Sequence, residues 1–156
     1  MTPVHLRRAT TDDIFQMREL ERRTTTAAHW SSAQYDALFA TDAQPRVALI
    51  AAGESTIAPM CGFLIARCLP DEWEIESVIV DEQHRQCGIG SLLVRELLGK
   101  ARVGGARSVI LEVRESNRPA QRLYESIGFK AEGRRNGYYQ GPTEDALLYR
   151  VRIAVL

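Results

Sequence analysis

At 156 residues with 45% apolar content, the chain is long enough for one domain with a real core and too short for two. Its 20 Lys/Arg and 20 Asp/Glu are interspersed and cancel, which leaves no electrostatic footprint for nucleic acid or an anionic membrane. Three scattered cysteines exclude a disulfide framework or a zinc site, and "MTPVHLRRATTDD" holds no apolar signal region, so a cytoplasmic protein is expected.

In chain order, "VHLRRAT" reads as a strand ended by "TTDD", whose Thr and Asp side chains suit a helix cap. From Ile14, Met17 and Leu20 mark a first helix running towards Arg23, and "HWSSAQYDALFA" a second one, capped by Ser31 or Ser32. "RVALIAA" and "MCGFLIARCL" are strands joined by a turn around Gly53, and "WEIESVIV" is a third. Cys61 and Cys68 lie seven apart in one of these strands, so an extended chain points them to opposite faces as small core residues. His5, His29 and His84 show no metal-ligand spacing, and no metal is expected.

A glycine loop, "RQCGIG", then leads into the helix "GSLLVRELLGKARVGG", closed by Gly104 and Gly105. "RSVILEV" is the next strand, "NRPAQRLYESIGF" holds a helix that Gly128 ends, and "YYQGPTEDALLYRVRI" forms a final hairpin. A meander followed by alternating strands and helices implies an α/β fold. It is one mixed, largely antiparallel sheet with helices on both faces, in a single domain over residues 1–156.

The loop carries the first functional signal. Unpaired N–H groups and the positive dipole end at a helix N-terminus bind phosphate without basic side chains. A P-loop is excluded because "GIGSLL" has no lysine, and a dinucleotide fingerprint because Leu93 stands where Gly or Ala is needed. Taken alone, Arg85-x-x-Gly88-x-Gly90 is equally a tight strand-to-helix turn with no ligand.

With "LEVRESNRPAQRLYESIGF" after it, the chain resembles the GNAT (GCN5-related N-acetyltransferase) superfamily. Its loop of the form Arg/Gln-x-x-Gly-x-Gly/Ala cradles the pyrophosphate of acetyl-coenzyme A. Within it, "LEVRESN", "LYESIGF", "RRNGYY", "EDALL" and, more loosely, "LERRTTTAAHWS" and "EIESVIV" are similar to the RimI-type ribosomal-protein-alanine N-acetyltransferases, over nearly the whole chain. The resemblance implies an enzyme with the GNAT fold that moves acetyl directly from acetyl-CoA, as co-substrate, to a primary amine. The amine is the N-terminus of a protein or peptide such as ribosomal protein S18, or else a small molecule or lysine. It implies backbone contacts to phosphate from Arg85, Gln86, Cys87, Gly88, Ile89, Gly90 and Ser91. Ile79 and Val80 would hold the pantetheine arm in sheet fashion, with Asn117 touching the same arm while also serving as an N-cap. A non-catalytic acyl-CoA-binding module would keep the loop but need not keep both Glu112 and Tyr124. An aminoacyl-tRNA acetyltransferase would want a basic surface, which the zero net charge disfavours. No nucleic acid and no membrane are expected as partners, and the chain is expected to act as a monomer or weak dimer.

Acyl transfer to an amine needs a neutral nucleophile, a stabilised oxyanion and a proton for the leaving thiolate. Glu112 matches the RimI-type base and sits among Ile110, Leu111 and Val113, where apolar surroundings favour proton uptake; an ion pair with Arg114 is the structural alternative. Glu74 aligns with the glutamate of histone-type relatives and shares a strand face with Glu76; both are otherwise a solvent-facing edge. Tyr124 shares a helix face with Ala120, Leu123 and Ile127, so periodicity makes it a core residue. The resemblance makes it the acid that protonates the thiolate. Tyr138 and Tyr139 either clamp an acceptor peptide or pack across strands. Glu144 and Asp145 either attract a charged N-terminus or keep the strand edge soluble. The chain departs from the RimI-type pattern at Glu82, at Cys87 and at Glu76, the last bearing on the shape of the acceptor site.

Overall fold

The computed structural model describes residues 3–24, 30–40, 45–55 and 58–154; His29, with the rest of residues 25–29 of the N-terminal motif, lies outside them. Eleven elements follow one another: β1 Val4–Arg8, α1 Ile14–Arg22, α2 Ser32–Ala37, β2 Arg46–Gly53, β3 Met60–Cys68, β4 Glu72–Val80, α3 Ile89–Val103, β5 Ser108–Arg114, α4 Arg118–Ile127, β6 Lys130–Tyr139 and β7 Glu144–Arg152. The strands form one seven-stranded sheet in the order β1-β2-β3-β4-β5-β7-β6. Every pairing is antiparallel except β4 with β5. This is the mixed α/β architecture expected from the sequence.

β2 and β3 lie inside the sheet because they are apolar on both faces, and most of their residues are buried. On one face Leu93, Val94 and Leu97 of α3 and Tyr124 of α4 pack on Leu49, Leu64, Val109 and Leu111. On the other, Met17 and Leu20 of α1 and Tyr35 of α2 cover Ile50, Phe63 and Ile65. Each such side chain contributes about 1.5–3 kcal/mol over its exposed state, so the two helix layers hold the central strands from both sides. The caps are local. Thr10 and Asp13 form a capping box before α1, Arg7 of β1 grips both carboxylate oxygens of Asp13 at 2.7 Å, and Ser31 rather than Ser32 caps α2 through Gln34.

Two expectations fail at irregular pairings. Alternation alone would put Cys61 and Cys68 on opposite faces, yet both pack on the α3 side. The β2–β3 register jumps from Ala51–Gly62 to Ala52–Met60, which leaves Cys61 as the extra residue of a bulge and turns it over. The last hairpin is also longer than "YYQGPT" suggests. β6 begins at Lys130, but it is an exposed edge strand with two glycines and two breaks in register, so it shows no apolar alternation to read. Ion pairs of Arg150 with Glu132 and of Arg134 with Glu115 and Asp145 hold it in place.

Candidate active site

The parallel pairing of β4 with β5 is short. It covers Glu72–Ile75 against Ser108–Leu111 and then stops, while β4 continues along β3 to Val80 and β5 continues along β7 to Arg114. The two strands therefore part like a V. Ser108 Oγ donates to Glu72 at 2.7 Å and Arg150 meets the same carboxylate at 3.1 Å, so the paired end is clamped. A bulge opens the other side. The β3–β4 register passes from Ile65–Ser77 to Ala66–Ile75, which leaves Glu76 over and resets the alternation after it. Between the arms lies a cleft of about 280 Å³.

The cleft gathers eight of the residues singled out in the sequence: Glu74, Glu76, Ile79, Glu112, Asn117, Tyr124, Tyr138 and Tyr139 all line it. Alternation along β5 sends Val109, Leu111 and Val113 into the α3–α4 core and leaves Glu112 on the opposite face. Tyr124 comes from α4, on the core side. Carboxylate and phenol thus approach one gap from opposite faces of the sheet, which is possible only because the strands have parted.

The partners of the carboxylates differ from expectation. Arg114 does not pair with Glu112; it meets Glu144 at 3.1 Å and stacks over the Tyr139 ring at 4.4 Å. Glu112 instead meets Arg135 of β6 at 3.1 Å, and Arg135 in turn sits 5.4 Å from the centre of the Tyr138 ring. Glu74 and Glu76 are no free solvent edge. Glu74 is bound by Arg67, its register neighbour on β3, and Glu76 by Arg46 at 2.7 Å, while Arg46 also lies over Trp30. Arg46, Arg67, Arg135 and the cleft-lining Thr24 and Trp30 were not found by sequence reasoning. Cross-strand pairs of this kind depend on register, and no spacing along the chain records it.

Tyr124 is buried, edges Phe129 at 5.6 Å and donates to no acceptor among the described residues; burial pushes its hydroxyl up from the ordinary tyrosine range. Its position is fixed from the start of α4. Asn117 accepts from the Ala120 N–H at 3.2 Å, and the Gln121 side-chain amide donates to the carbonyls of Arg114 and Glu115 at 3.2 and 2.7 Å. Asn117 is thus an N-cap that also lines the cleft. Tyr139 is pushed up to about 12, first by burial and then by the neighbouring Glu112. Tyr138 and Tyr139 meet edge to face at 5.1 Å over the cleft mouth. Glu144 accepts from the Ser116 N–H at 2.8 Å and Asp145 from the Gly137 N–H at 2.8 Å; hydrogen bonds from Ser116 and Arg114 hold the first carboxyl, and from Gly137 and Arg134 the second, below their usual range.

The glycine loop lies beyond the end of β4. Gly88 takes a left-handed conformation (φ 79°) as the N-cap of α3, and Gln86 is left-handed as well (φ 61°). The N–H groups from Gln86 to Ser91 donate to no acceptor among the described residues, and the first bond of α3 is Leu92 N–H to the Gly88 carbonyl at 2.9 Å. This leaves a run of donors at the positive end of a 15-residue helix. The Arg85 side chain turns back to the Val80 carbonyl at 3.5 Å, away from those amides. Among the described residues no group of three or more His, Cys, Asp or Glu could hold a metal ion, and no helix is long and apolar enough to cross a membrane.

Comparison with known proteins fits this geometry. Residues 14–129 match the model of the acetyltransferase (GNAT) family. The N-alpha-acetyltransferase RimI of Mycobacterium tuberculosis is 43% identical over 55% of this chain and 52% of its own length. The ribosomal protein bS18-alanine N-acetyltransferase of Escherichia coli K12 is 34% identical over 62% of this chain and 66% of its own. Both alignments thus span between half and two thirds of those relatives. The crystal structure of the E. coli ribosomal-protein-S18-alanine N-acetyltransferase superposes with a TM-score of 0.86 at 25% identity, covering 99% of this chain and 96% of that one. The chain belongs to the acetyltransferase (GNAT) family.

Proposed function

We propose that the protein transfers acetyl from acetyl-CoA to the N-terminal α-amino group of a protein, in the cytoplasm, with ribosomal protein S18 as the first acceptor to try. One observation carries this reading: the V between β4 and β5 brings Glu112 and Tyr124 to a single cleft, and unpaired loop amides lie beyond the end of β4. The RimI-type relatives supply the acceptor.

The residues fit the coenzyme. The amides of Gln86–Ser91 meet the pyrophosphate, and the freed edge of β4 at Ile79 and Val80 offers sheet hydrogen bonds to the pantetheine arm, which Asn117 flanks. The thioester then lies in the gap. An α-amino group has a pKa of roughly 7.7–8.0, so one carboxylate suffices to take its proton near neutral pH. Glu112 is that base. Its partner Arg135 is 61% exposed and free to swing aside, whereas Glu74 is held by the 33% exposed Arg67. The neutral amine attacks the thioester carbon, the C–S bond breaks, and the thiolate takes the proton of Tyr124, which burial has kept on the phenol. Tyr138 and Tyr139 cover the acceptor. Mass spectrometry of peptide N-termini, the S18 N-terminus among them, after incubation with acetyl-CoA tests the reading. Preferential acetylation of lysine side chains or of small amines would overturn the choice of acceptor.

A further inference from the structure

The phosphate-binding reading uses the Cys87 amide and leaves its thiol without a role, although it lies in the loop itself. A second cavity, of about 540 Å³, opens beside the start of α3, and Cys61, His84, Cys87, Gly88, Ile89 and Leu92 share its wall. Cys87 is exposed and Cys61 is buried. The bulge described above is what puts Cys61 here. In regular alternation it would face α1; as the extra residue between Ala51–Gly62 and Ala52–Met60 it faces α3. Both cysteines line the same cavity, and burial pushes the Cys61 thiol up from its usual range. His84, whose Nδ1 lies 3.4 Å from the Asp81 carboxylate, shares the same wall.

We propose that Cys87 and Cys61 are a thiol pair that a peroxide converts into a disulfide, disabling the phosphate-binding loop. Peroxide oxidises the exposed Cys87 thiol to a sulfenic acid and is itself reduced to water (or an alcohol). The Cys61 sulfur then attacks the Cys87 sulfur, the S–O bond breaks, and the Cys61 proton leaves with the hydroxyl as water. A disulfide holds its Cα atoms about 4.4–6.8 Å apart, so the bond would tie the loop to β3. The backbone is built to allow that. Cys87 lies between left-handed Gln86 and left-handed Gly88, and beyond the chain neighbours nothing stands within 4 Å of where a Gly88 Cβ would be. Drawing Cys87 inward turns the flanking amides away from the phosphate site. Reduction by a dithiol restores the loop.

This inference rests on the loop's role under Proposed function, and two separate readouts keep the two apart. The full-length protein is treated with hydrogen peroxide, mapped by peptide mass spectrometry and titrated calorimetrically with acetyl-CoA, before and after dithiothreitol. The expected result is a Cys61–Cys87 cross-link, a loss of affinity of about tenfold or more, and recovery on reduction. Cys61→Ala should bind acetyl-CoA normally when reduced, form no cross-link, and yield a Cys87 sulfenic acid that dimedone traps. A cross-link through Cys68, a disulfide-linked dimer, sulfinic acid at Cys87 in the wild type without a cross-link, or a Cys61–Cys87 disulfide that leaves affinity unchanged each overturns the proposal. Reduced wild-type protein that fails to bind acetyl-CoA overturns the loop's role itself, and the switch with it.

Discussion

Arg135 Nε stands 3.1 Å from Glu112 Oε1, although β7 separates the strands that carry them. The pairing follows from register: Glu112 lies opposite Leu148, and Arg135 opposite Ala146 two residues away on the same strand. The guanidinium keeps the carboxylate company in a cleft that would otherwise desolvate it. Arg135 is also the more exposed partner, able to give way to an incoming ammonium group.

Glu112→Gln should therefore lower kcat/KM for a peptide N-terminus by roughly 10²–10⁴-fold, the usual worth of a positioned base. The loss should be greatest at low pH, where more of the acceptor amine is protonated, and smallest for an acceptor of low amine pKa. Arg135→Gln should cost several-fold at most and act on the acceptor KM, leaving acetyl-CoA affinity alone. Because the two side chains touch, the double variant should lose less than the product of the single losses. Wild-type turnover in Glu112→Gln together with a dead Glu74→Gln would transfer the role to Glu74.

A second prediction concerns acid. Arg7 and the Thr10 N–H hold the Asp13 carboxyl below its usual range, the Gly137 N–H and Arg134 do the same for Asp145, and hydrogen bonds from Ser116 and Arg114 for Glu144. A carboxyl whose folded pKa is lowered contributes stability that is complete above its unfolded value, about 4, and is lost as pH falls through the folded one. The melting temperature should thus be flat near neutrality and fall steeply below about pH 4. Asp13→Asn should cost roughly 1 kcal/mol at neutral pH through its cap, a drop of about 2–4 °C, and make the acid fall shallower. An unchanged slope in that variant would remove Asp13 from the account. Calorimetry across pH decides.

The two loop glycines should fail for different reasons. Gly88 needs its left-handed backbone and leaves room for a Cβ, so Gly88→Asn should bind acetyl-CoA nearly as well as the wild type, whereas Gly88→Val should lose most of its affinity. Gly90 has an ordinary backbone, but a Cβ there would stand 3.1 Å from Leu123 Cδ2 of α4. Gly90→Val should therefore destabilise by about 1–3 kcal/mol through overpacking, seen in the melting temperature as well as in affinity. A folded Gly88→Val protein that binds acetyl-CoA unchanged would end the phosphate role.

What was legible in the sequence was what periodicity and punctuation record. The apolar runs of β2 and β3, the α4 face at Ala120, Leu123, Tyr124 and Ile127, and the stop at Gly128 (φ 116°) follow from local composition, and all appear in the structure. What was not legible depends on register and its breaks. The bulges at Cys61 and Glu76 reverse the alternation on which face assignments rest. The partners of Glu112, Glu74 and Glu76 lie on other strands, 23, 7 and 30 residues away in sequence, and cannot be read from spacing. Even the site itself depends on where β4 stops pairing with β5, which no residue type announces.

Tyr124 separates the core reading from the catalytic one most sharply, because it is both. Its ring packs against Phe129 and Tyr149, while the residue lines the cleft and its hydroxyl has no hydrogen-bond acceptor among the described residues. Tyr124→Phe keeps the ring and removes only the oxygen, so melting temperature and acetyl-CoA affinity should stay close to wild type. If the hydroxyl protonates the leaving thiolate, kcat should fall by roughly 10²–10⁴-fold. The pH profile adds a second constraint. Burial raises this hydroxyl above the ordinary tyrosine value of about 10, and an acid works while it is protonated, so Tyr124 should impose no alkaline limb on kcat below that pH. Tyr149→Phe is the control. Tyr149 lies in the same core, and its hydroxyl is already committed to Glu125 at 2.9 Å, so that change should show in stability and leave kcat within a few-fold. Should Tyr124→Phe melt early and turn over at the wild-type rate, Tyr124 is a core residue alone and the proton comes from water or from Tyr139.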